Sequence, residues 1–283
     1  MTSDPSNILM LGLRGSGKTT FLAALWHYLE SGEMADQLEV PSLQPDRHYL
    51  NSIRNSWLNL KPVGRTSLRT NAVVSLPLRK KPDNSEFEVI VPDISGEAFR
   101  LQWVTRKALD SYVDFAKGCA AAFLFIHPKE VTRTHPLNPM PNEGESDLGD
   151  EPPIAAGPTW SPERSSTQVL LVELLQLLLT LREAPHPARF AIVISAWDLV
   201  KTEISPSDWL DSRLPLLSQY LRSNGDIFAS RVFGISAQGG DLATDRDQLM
   251  KASVPSSRCR ALQGDGLEHV SITAPLSFLL QRG

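Results

Sequence analysis

A phosphate-binding pattern near the start of the chain constrains the fold more than any other feature. The pattern G-x-x-x-x-G-K-[ST] occurs as Gly12, Gly17, Lys18 and Thr19, between a short apolar run and a helical pattern. In such a loop the backbone N–H groups turn inward around a phosphate, and the positive end of the following helix is directed at it. The pattern therefore predicts a nucleoside triphosphate site, with a cation from Lys18 and a magnesium ligand from Thr19. The predicted phosphate-binding residues are Gly12, Arg14, Gly15, Ser16, Gly17, Lys18, Thr19 and Thr20.

Length and composition favour a globular α/β protein without a membrane span. The 283 residues, 41% of them hydrophobic, can bury one large core, and we expect a single domain with insertions over residues 1–283. A net charge of −4 argues against a dedicated nucleic-acid surface, and no nucleic-acid partner is expected. Since the first residues are polar and no apolar stretch is long enough to cross a bilayer, the predicted location is the cytoplasm.

Short apolar runs alternate with helical patterns along the chain, which is typical of a parallel sheet covered on both faces. We predict a P-loop NTPase three-layer sandwich: a mostly parallel six-stranded sheet with helices on both faces. The second and third strands are separated only by a short polar turn, and they are expected to form one antiparallel hairpin at the sheet edge. The predicted strands are 8–11, 72–78, 86–91, 120–126, 190–195 and 231–235. The predicted helices are 18–30, 97–117, 165–182, 206–221 and 274–281.

An aspartate and a glycine follow the predicted hairpin. Asp93 comes at the carboxyl end of the third predicted strand, and Gly96 comes three residues later. With its phosphate-binding pattern and this D-x-x-G sequence, the chain resembles the Ras-like GTPases of the translation-factor-related class. The resemblance implies that Asp93 holds Mg²⁺ through water and that the N–H of Gly96 contacts the terminal phosphate of GTP.

The fifth predicted strand ends in a sequence similar to the base-reading N-K-x-D motif of the same class. The sequence here is Ser195-Ala196-Trp197-Asp198, in which the Asn and Lys of the motif are replaced. Asp198 can accept from both the ring N–H and the amino group of guanine, and adenine cannot satisfy this arrangement. Trp197 is expected to supply the apolar area that the lysine stem usually gives. Guanine preference therefore depends on one side chain of the motif.

The sixth predicted strand ends in a turn that is similar to the S-A-K turn of these GTPases. Its residues are Ser236-Ala237-Gln238. The resemblance implies that Ser236 and Ala237 lie over the base. The nucleotide-binding residues implied by the resemblance are thus the phosphate-binding set together with Gly96, Asp198, Ser236 and Ala237.

A threonine of the first switch coordinates magnesium in this class only while the terminal phosphate is present. Spacing leaves two candidates, Thr66 within a loop and Thr70 shortly before the second predicted strand. The expected metal ligands are therefore Thr19, Asp93 and either Thr66 or Thr70. The expected cofactor is Mg²⁺ together with GTP or GDP.

The candidate catalytic residues are Lys18, Glu97 and Arg14. Glu97 occupies the position of the water-orienting glutamine of Ras proteins, and its negative charge near the phosphates would oppose attack. Alternatively, Glu97 only begins the next helix, where an acidic side chain favours the dipole. Arg14 stands where Ras proteins have glycine, and it either acts as an arginine in cis or blocks one from an activating partner. We therefore expect slow intrinsic GTP hydrolysis.

Three segments exceed the length of a minimal Ras-like domain. Residues 31–67 extend the first switch region and include an amphipathic stretch at 49–58. Residues 128–163 are rich in proline and acidic side chains, and such a segment cannot fold compactly by itself. Residues 239–266 follow the base-covering turn, where they either close over the nucleotide or contact another chain. Tolerance of loop length is the general explanation for such segments.

The sequence around the second motif narrows the resemblance. Residues 93–97, the Gln102-Trp103 and Arg106 that follow, and the C-terminal stretch 272–280 are similar to the bacterial double-GTPase family. Members of that family are encoded beside a second GTPase and are thought to act in conflict or defence systems. The resemblance implies a GTP switch that is read by a partner protein, either a second GTPase or an effector. The alternatives are a non-hydrolysing nucleotide-binding scaffold and a P-loop ATPase or small-molecule kinase.

Overall fold

A mixed nine-stranded sheet forms the centre of the protein in a computed structural model. The structure describes residues 6–41, 47–63, 74–91, 102–108, 110–132, 164–183, 187–200, 203–264 and 269–281. The strands are β1 (Ser6–Gly12), β2 (Leu38–Glu39), β3 (Val74–Lys80), β4 (Ser85–Val91), β5 (Cys119–Ile126), β6 (Ala188–Ser195), β7 (Phe228–Ser236), β8 (Arg260–Gln263) and β9 (His269–Val270). The helices are α1 (Lys18–Ser31), α2 (Arg47–Leu58), α3 (Asp110–Lys117), α4 (Thr167–Leu181), α5 (Pro206–Arg213), α6 (Pro215–Ser223), α7 (Arg246–Met250) and α8 (Ala274–Leu279).

The strand order is β2-β3-β4-β1-β5-β6-β7-β8-β9. The central strands β4, β1, β5, β6 and β7 are parallel, whereas both edges are extended by antiparallel strands. The α/β class and the parallel centre are as expected, but the prediction of six strands was wrong. The predicted β3–β4 hairpin is present, but it is not at the edge of the sheet. Strand β2 pairs with β3 and is the edge strand. The additional strands are β2, β8 and β9, and β2 and β9 have two residues each, too short to show an alternating pattern.

Alternate residues of the central strands enter two separate hydrophobic cores. In β1, Ile8 and Met10 face the core that is covered by α1, α2 and α8. Leu9 and Leu11 face the opposite core, which is covered by α3, α4, α5 and α6. The strands are buried on both faces and read as continuous apolar runs for that reason. The three-layer arrangement predicted from the alternation of strands and helices is present.

Helix α2 lies within the segment that extends the first switch region, and its amphipathic pattern is explained by its packing. Leu50, Ile53 and Trp57 are buried, and their spacing places them on one face of the helix. This face packs against α1, where Trp26 Nε1 donates to Asn51 Oδ1 at 3.0 Å. The extension is therefore an ordered part of the core at α2 rather than a simple loop.

Two long predicted helices are interrupted. Of the predicted helix 97–117, residues 102–105 are helical, and Arg106 then takes a left-handed φ of 58°. The N–H of Arg106 bonds to the carbonyl of Gln102 at 2.8 Å, which closes the helical end before α3 begins. The predicted helix 206–221 is divided into α5 and α6 at Pro215, since proline lacks an N–H and disfavours helical backbone at Leu214.

The segment predicted as an insertion at 239–266 contributes to the sheet. It contains α7 and strand β8, which pairs antiparallel with β7. Most of the segment 128–163 lies outside the described residues. Among the helices that the structure describes, none combines the length and apolarity needed to cross a bilayer.

Candidate functional site

The carboxyl ends of β1, β5, β6 and β7 meet along one edge of the sheet, because these strands are parallel neighbours. In open α/β sheets, ligands bind in the crevice beyond the carboxyl ends of the strands. The phosphate-binding pattern follows β1, the Asp198 motif follows β6, and the Ser236 turn follows β7. The loop after β5 lies between the first two. The fold therefore brings the distant motifs of the sequence to one place.

The phosphate-binding loop is closely packed at two of its glycines. A Cβ placed on Gly12 would lie 2.7 Å from the carbonyl oxygen of Phe125, and one on Gly17 would lie 2.7 Å from Ser195 Oγ. The backbone of Gly17 also has a left-handed φ of 90°. Only glycine fits both positions without displacing the neighbouring strand ends. The loop is thus fixed against β5 and β6.

Lys18 is the first residue of α1, and its ammonium group is held within the loop. Its Nζ donates to the carbonyl oxygens of Gly12 at 2.7 Å and Leu13 at 3.1 Å, and to Ser16 Oγ at 3.1 Å. Burial lowers the pKa of Lys18 to about 8, because neutral acceptors compensate only partly for lost water. A bound anion at this loop would stabilise the charged form of the lysine.

The first turn of α1 completes the anion-binding geometry. The helix begins directly after Gly17, and its first turn contains no acidic residue to compete for the free N–H groups. Thr19 and Thr20 are half-buried in this turn. A threonine hydroxyl is an oxygen ligand of the kind that Mg²⁺ prefers. The local structure therefore suits a phosphate group with a magnesium ion at Thr19.

Arg14 lies at the exposed tip of the loop. It lines a narrow cleft beside the loop together with Glu130 and Thr167. Glu130 also packs against the loop at Gly15, where an added Cβ would meet its side chain at 3.4 Å. The carboxylate is exposed, and solvent screening reduces its repulsion of an anion in the loop.

A cavity of about 270 Å³ opens beside the loop, between the ends of β5, β6 and β7. Its size is close to that of small-molecule sites, and its inner wall is apolar. The residues that shape it include Thr20, Phe125, His127, Asp198, Ala237 and Asp241. Gly17 also contributes to the wall. The cavity is therefore continuous with the phosphate-binding loop.

Asp198 and Ser236 are linked at this cavity, although they are far apart in the sequence. Ser236 Oγ donates to Asp198 Oδ1 and accepts from the N–H of Gly239 at 3.1 Å. Ser236 is buried, whereas Asp198 is exposed. The hydroxyl thus orients the carboxylate and leaves its remaining lone pairs accessible to donors of a ligand.

The turn after β7 also contacts helix α2. Trp57 Nε1 of α2 donates to the buried carbonyl oxygen of Ala237 at 2.9 Å. The indole ring of Trp57 is covered by the guanidinium of Arg258 at 4.2 Å from its centroid. The extended first switch region is therefore connected to the turn at the cavity through one side chain.

Trp197 does not take the place that was expected of it. Its ring lies against Gly234 in β7, where any Cβ would overlap it, and it packs on the core covered by α4. Ala196 has a left-handed φ of 46°, and the cavity is lined by Ala196, Asp198 and Leu199 but not by Trp197. The expectation that Trp197 substitutes for a lysine stem over the base was therefore wrong.

Three residues at the cavity were not predicted from the sequence. His127 and Lys129 follow β5, and Asp241 follows β7. Lys129 Nζ lies 3.8 Å from Asp241 Oδ2, and this pair joins the two loops on either side of the end of β6. The position of His127 directly after a buried parallel strand is the signal that would have identified it.

Substitution of Gly17 by alanine tests the close packing of the loop. We expect a loss of about 2–4 kcal/mol in the free energy of unfolding, from the left-handed backbone and the contact with Ser195. Gly32→Ala is the matched control, because Gly32 has a φ of 68° but no atom within 4 Å of an added Cβ. Its expected cost is about 1 kcal/mol, from backbone conformation alone. Equal losses in the two variants, measured by denaturant unfolding, would contradict the packing argument.

Several predicted site residues lie outside the described part of the chain. They are Thr66, Thr70, Asp93, Gly96 and Glu97. The residues whose positions the structure gives fall into two groups. The loop group contains Gly12, Arg14, Gly15, Ser16, Gly17, Lys18, Thr19 and Thr20, and the cavity group contains Asp198, Ser236 and Ala237.

Comparison with solved structures gives similarities at low sequence identity. A chain of the signal recognition particle receptor SRb-GTP/SRX complex from Chaetomium thermophilum is 15% identical, with a TM-score of 0.39, over 84% of this chain and 92% of that one. A bacterial selenocysteine-specific elongation factor EF-Sec is 13% identical, with a TM-score of 0.37, over 90% of this chain and 29% of that one. The GTP-bound GTPase-like domain of S. cerevisiae Ski7 is 15% identical, with a TM-score of 0.44, over 97% of this chain and 49% of that one.

Two sequence comparisons gave different results. No curated protein matches the chain. The sequence model of the Double-GTPase 1 family matches residues 9–279, which include the phosphate-binding loop, the end of β6 and the turn after β7. Because this match spans most of its length, the chain belongs to the Double-GTPase 1 family.

Proposed function

We propose that the protein is a GTP-binding switch that hydrolyses GTP slowly and signals through a nucleotide-dependent contact with a partner protein. The observation that carries this proposal is the continuity of the phosphate-binding loop with a cavity at which Asp198 is held by Ser236. Membership of a GTPase family supports the same conclusion. In this proposal residues 1–283 act as one GTPase domain with insertions.

The phosphates of the nucleotide bind at the loop and at the start of α1. Backbone N–H groups from Gly15 to Thr20 donate to them, and Lys18 exchanges its carbonyl partners for phosphate oxygens. Burial makes this exchange favourable, because the ammonium is poorly compensated by the loop alone. Lys18 thus contributes both to binding and to stabilisation of charge that develops during hydrolysis.

Magnesium is the expected cofactor. Thr19 would hold it from the first turn of α1, with Asp93 acting through water and either Thr66 or Thr70 closing the site. A magnesium ion held by these residues would supply positive charge against the charge of the phosphates. The threonine of the first switch would bind the magnesium ion only in the triphosphate state, and the partner would read that difference.

The base occupies the cavity between the ends of β5, β6 and β7. Asp198 accepts from the N1–H and the amino group of guanine, while Ser236 keeps the carboxylate in position. The turn at Ala237 covers the base from the side of β7. Adenine lacks both donors in this arrangement and is discriminated against.

Hydrolysis is proposed to be slow. Glu97 would orient the attacking water, but its charge opposes the approach of the water to the phosphates. Arg14, at the exposed tip of the loop, is within the segment that surrounds the phosphates and either stabilises the developing charge in cis or excludes a partner's arginine. The partner that reads the switch is proposed to be a second GTPase or an effector, in a bacterial conflict or defence system.

Phosphate release from GTP over hours tests the enzymatic part of the proposal. We expect slow release that requires Mg²⁺ and stops when EDTA is added, with Lys18→Ala as the control for contaminating activity. Release at the same rate from the Lys18→Ala sample would show that the activity does not belong to this site. Tight GTP binding without release would instead identify a non-hydrolysing nucleotide-binding protein.

Trp57 is expected to couple the first switch region to nucleotide affinity. Trp57→Phe keeps an aromatic ring of smaller size, and the hydrogen bond to the buried carbonyl of Ala237 is lost. We expect a loss of stability of about 1–3 kcal/mol and a GDP affinity lower by about threefold to tenfold. Trp26→Phe is the matched control, since it loses a similar bond to Asn51, and neither residue lines the cavity. Equal GDP affinity in the two variants would show that Trp57 has no role in binding.

A further inference from the structure

The loop after β6 offers few donors to a bound base. Ser195 Oγ donates to the carbonyl oxygen of Ile126 at 3.3 Å, is buried and lies against Gly17. Ala196 has no polar group in its side chain. The carboxylate of Asp198 offers acceptors and no donor. This loop therefore satisfies the donor edge of guanine, formed by N1 and the amino group, and leaves the acceptor edge without a side-chain partner.

His127 is the first residue after β5 and lies at the same cavity as Asp198. It is half-buried, and β5 is the direct neighbour of β6. The carboxylate of Asp198 is close enough to influence the pKa of His127, although burial has the larger effect and lowers that pKa below its usual value. The ring is therefore neutral at physiological pH, with one N–H donor and one acceptor.

The local hydrogen bonding selects the tautomer of His127. Its Nδ1 accepts from the backbone N–H of Lys129 at 3.2 Å and caps the short helix Pro128–Glu130. An accepting Nδ1 carries no hydrogen, and the neutral ring consequently has its hydrogen on Nε2. Among the described residues, none accepts from this Nε2–H group. The ring thus presents a fixed Nε2–H donor at the cavity that Asp198 also lines.

We propose that His127 is a base-binding residue whose Nε2–H donates to N7 of the bound guanine, opposite the edge that Asp198 reads. The inference rests on the proposed binding of guanine nucleotides. Strand β5 lies between β1, which carries the phosphate-binding loop, and β6. In an anti nucleotide the five-membered ring of the base lies on the side of the 5′ phosphates, and N7 therefore faces the β5 side.

Gln238 occupies the other side of the cavity, after β7. Its Nε2 is buried and has no partner among the described residues. Strand β7 is separated from the phosphate-binding strand by β5 and β6, and this side of the cavity corresponds to O6 rather than N7. The two donors thus serve different atoms of the base, and an analogue that lacks only N7 separates them.

The test compares GDP with 7-deaza-GDP, in which a carbon replaces N7. For the wild-type protein we expect affinity for the analogue to be lower by about fivefold to tenfold, the value of one hydrogen bond. His127→Ser keeps an oxygen that can cap the N–H of Lys129 but removes the ring. This variant is expected to bind GDP more weakly by a similar factor, and to bind the two nucleotides equally.

Lys129→Met is the control from the same loop. It removes the ion pair with Asp241 but retains the ring of His127, and the wild-type ratio of affinities is expected. Equal affinities for the two nucleotides in the wild-type protein would overturn the proposal without use of any variant. An unchanged ratio in His127→Ser would also overturn it. Failure of the wild-type protein to bind GDP at all would reject the proposed function itself, which is a different result.

Discussion

Lys18→Ala is expected to weaken GTP binding on the order of 30-fold to 3,000-fold, which corresponds to about 2–5 kcal/mol. The reason is that Lys18 provides the cation inside the loop, and the nucleotide phosphates lose a charge-assisted hydrogen bond without it. The free protein is expected to lose little stability. Its ammonium is poorly compensated by three neutral acceptors, as the lowered pKa shows.

Equilibrium titration with a fluorescent GTP analogue measures this loss, and thermal unfolding of the free variant verifies its fold. Lys18→Met is the companion variant, because it keeps the length of the side chain and removes only the charge. Both variants are expected to bind equally weakly. An affinity within a factor of about two of the wild-type value in either variant would remove Lys18 from the phosphate site.

Asp198→Asn is expected to lower GDP affinity on the order of 100-fold and to reduce the preference for guanine over adenine. An amide offers one acceptor and one donor in place of two acceptors, and its donor faces the amino group of guanine. The same donor fits the C2 carbonyl of xanthine, and affinity for xanthosine diphosphate should rise. The fold is expected to be retained, since Ser236 can donate to the amide oxygen as it does to the carboxylate.

Competition among guanosine, adenosine and xanthosine diphosphates measures this change. Asp241→Asn is the matched control, because it makes the same substitution at the same cavity. Asp241 Oδ1 accepts from the N–H of Ala243 at 2.9 Å, and an amide oxygen can do the same. This control is expected to keep the preference for guanine. Identical selectivity in Asp198→Asn and the wild-type protein would place the base elsewhere.

The sequence predicts those parts of the fold in which local pattern and packing agree. The strand, loop and helix around Lys18 carry a motif whose spacing is dictated by phosphate binding, and β1 and α1 are found there. The hairpin of β3 and β4 follows from two alternating runs and a short turn. In contrast, β2 and β9 form because longer strands present free edges to them, and two residues carry no periodicity of their own.

The predicted helix boundaries were wrong where a single residue ends the helix. Pro215 ends the continuity of a pattern that is otherwise helical, and its effect is readable in the sequence. Arg106 is different, because a left-handed arginine has no sequence signal. Its side chain pairs with Glu173 and lies 4.1 Å from the ring centroid of Trp103, and these contacts hold the unusual backbone.

The candidate site was predictable where its residues belong to motifs. Lys18 was identified from the spacing of its motif and Asp198 from the resemblance to the GTPases, and their loops follow β1 and β6, on either side of β5. The positions of His127 and Lys129 are set instead by strand order, which brings the end of β5 between those of β1 and β6. Trp57 is a stronger example, because its contact with Ala237 joins segments that no local pattern connects. Long-range packing thus determines the residues that sequence motifs do not reveal.

Competitive binding of GDP and ADP to the wild-type protein in the presence of Mg²⁺ tests the central claim most directly. The account predicts tight binding of GDP, with ADP weaker on the order of 100-fold or more, because only guanine satisfies Asp198. Equal or tighter binding of ADP would contradict the assignment of Asp198 as the guanine reader. Absence of binding by either nucleotide would contradict the proposed nucleotide site as a whole.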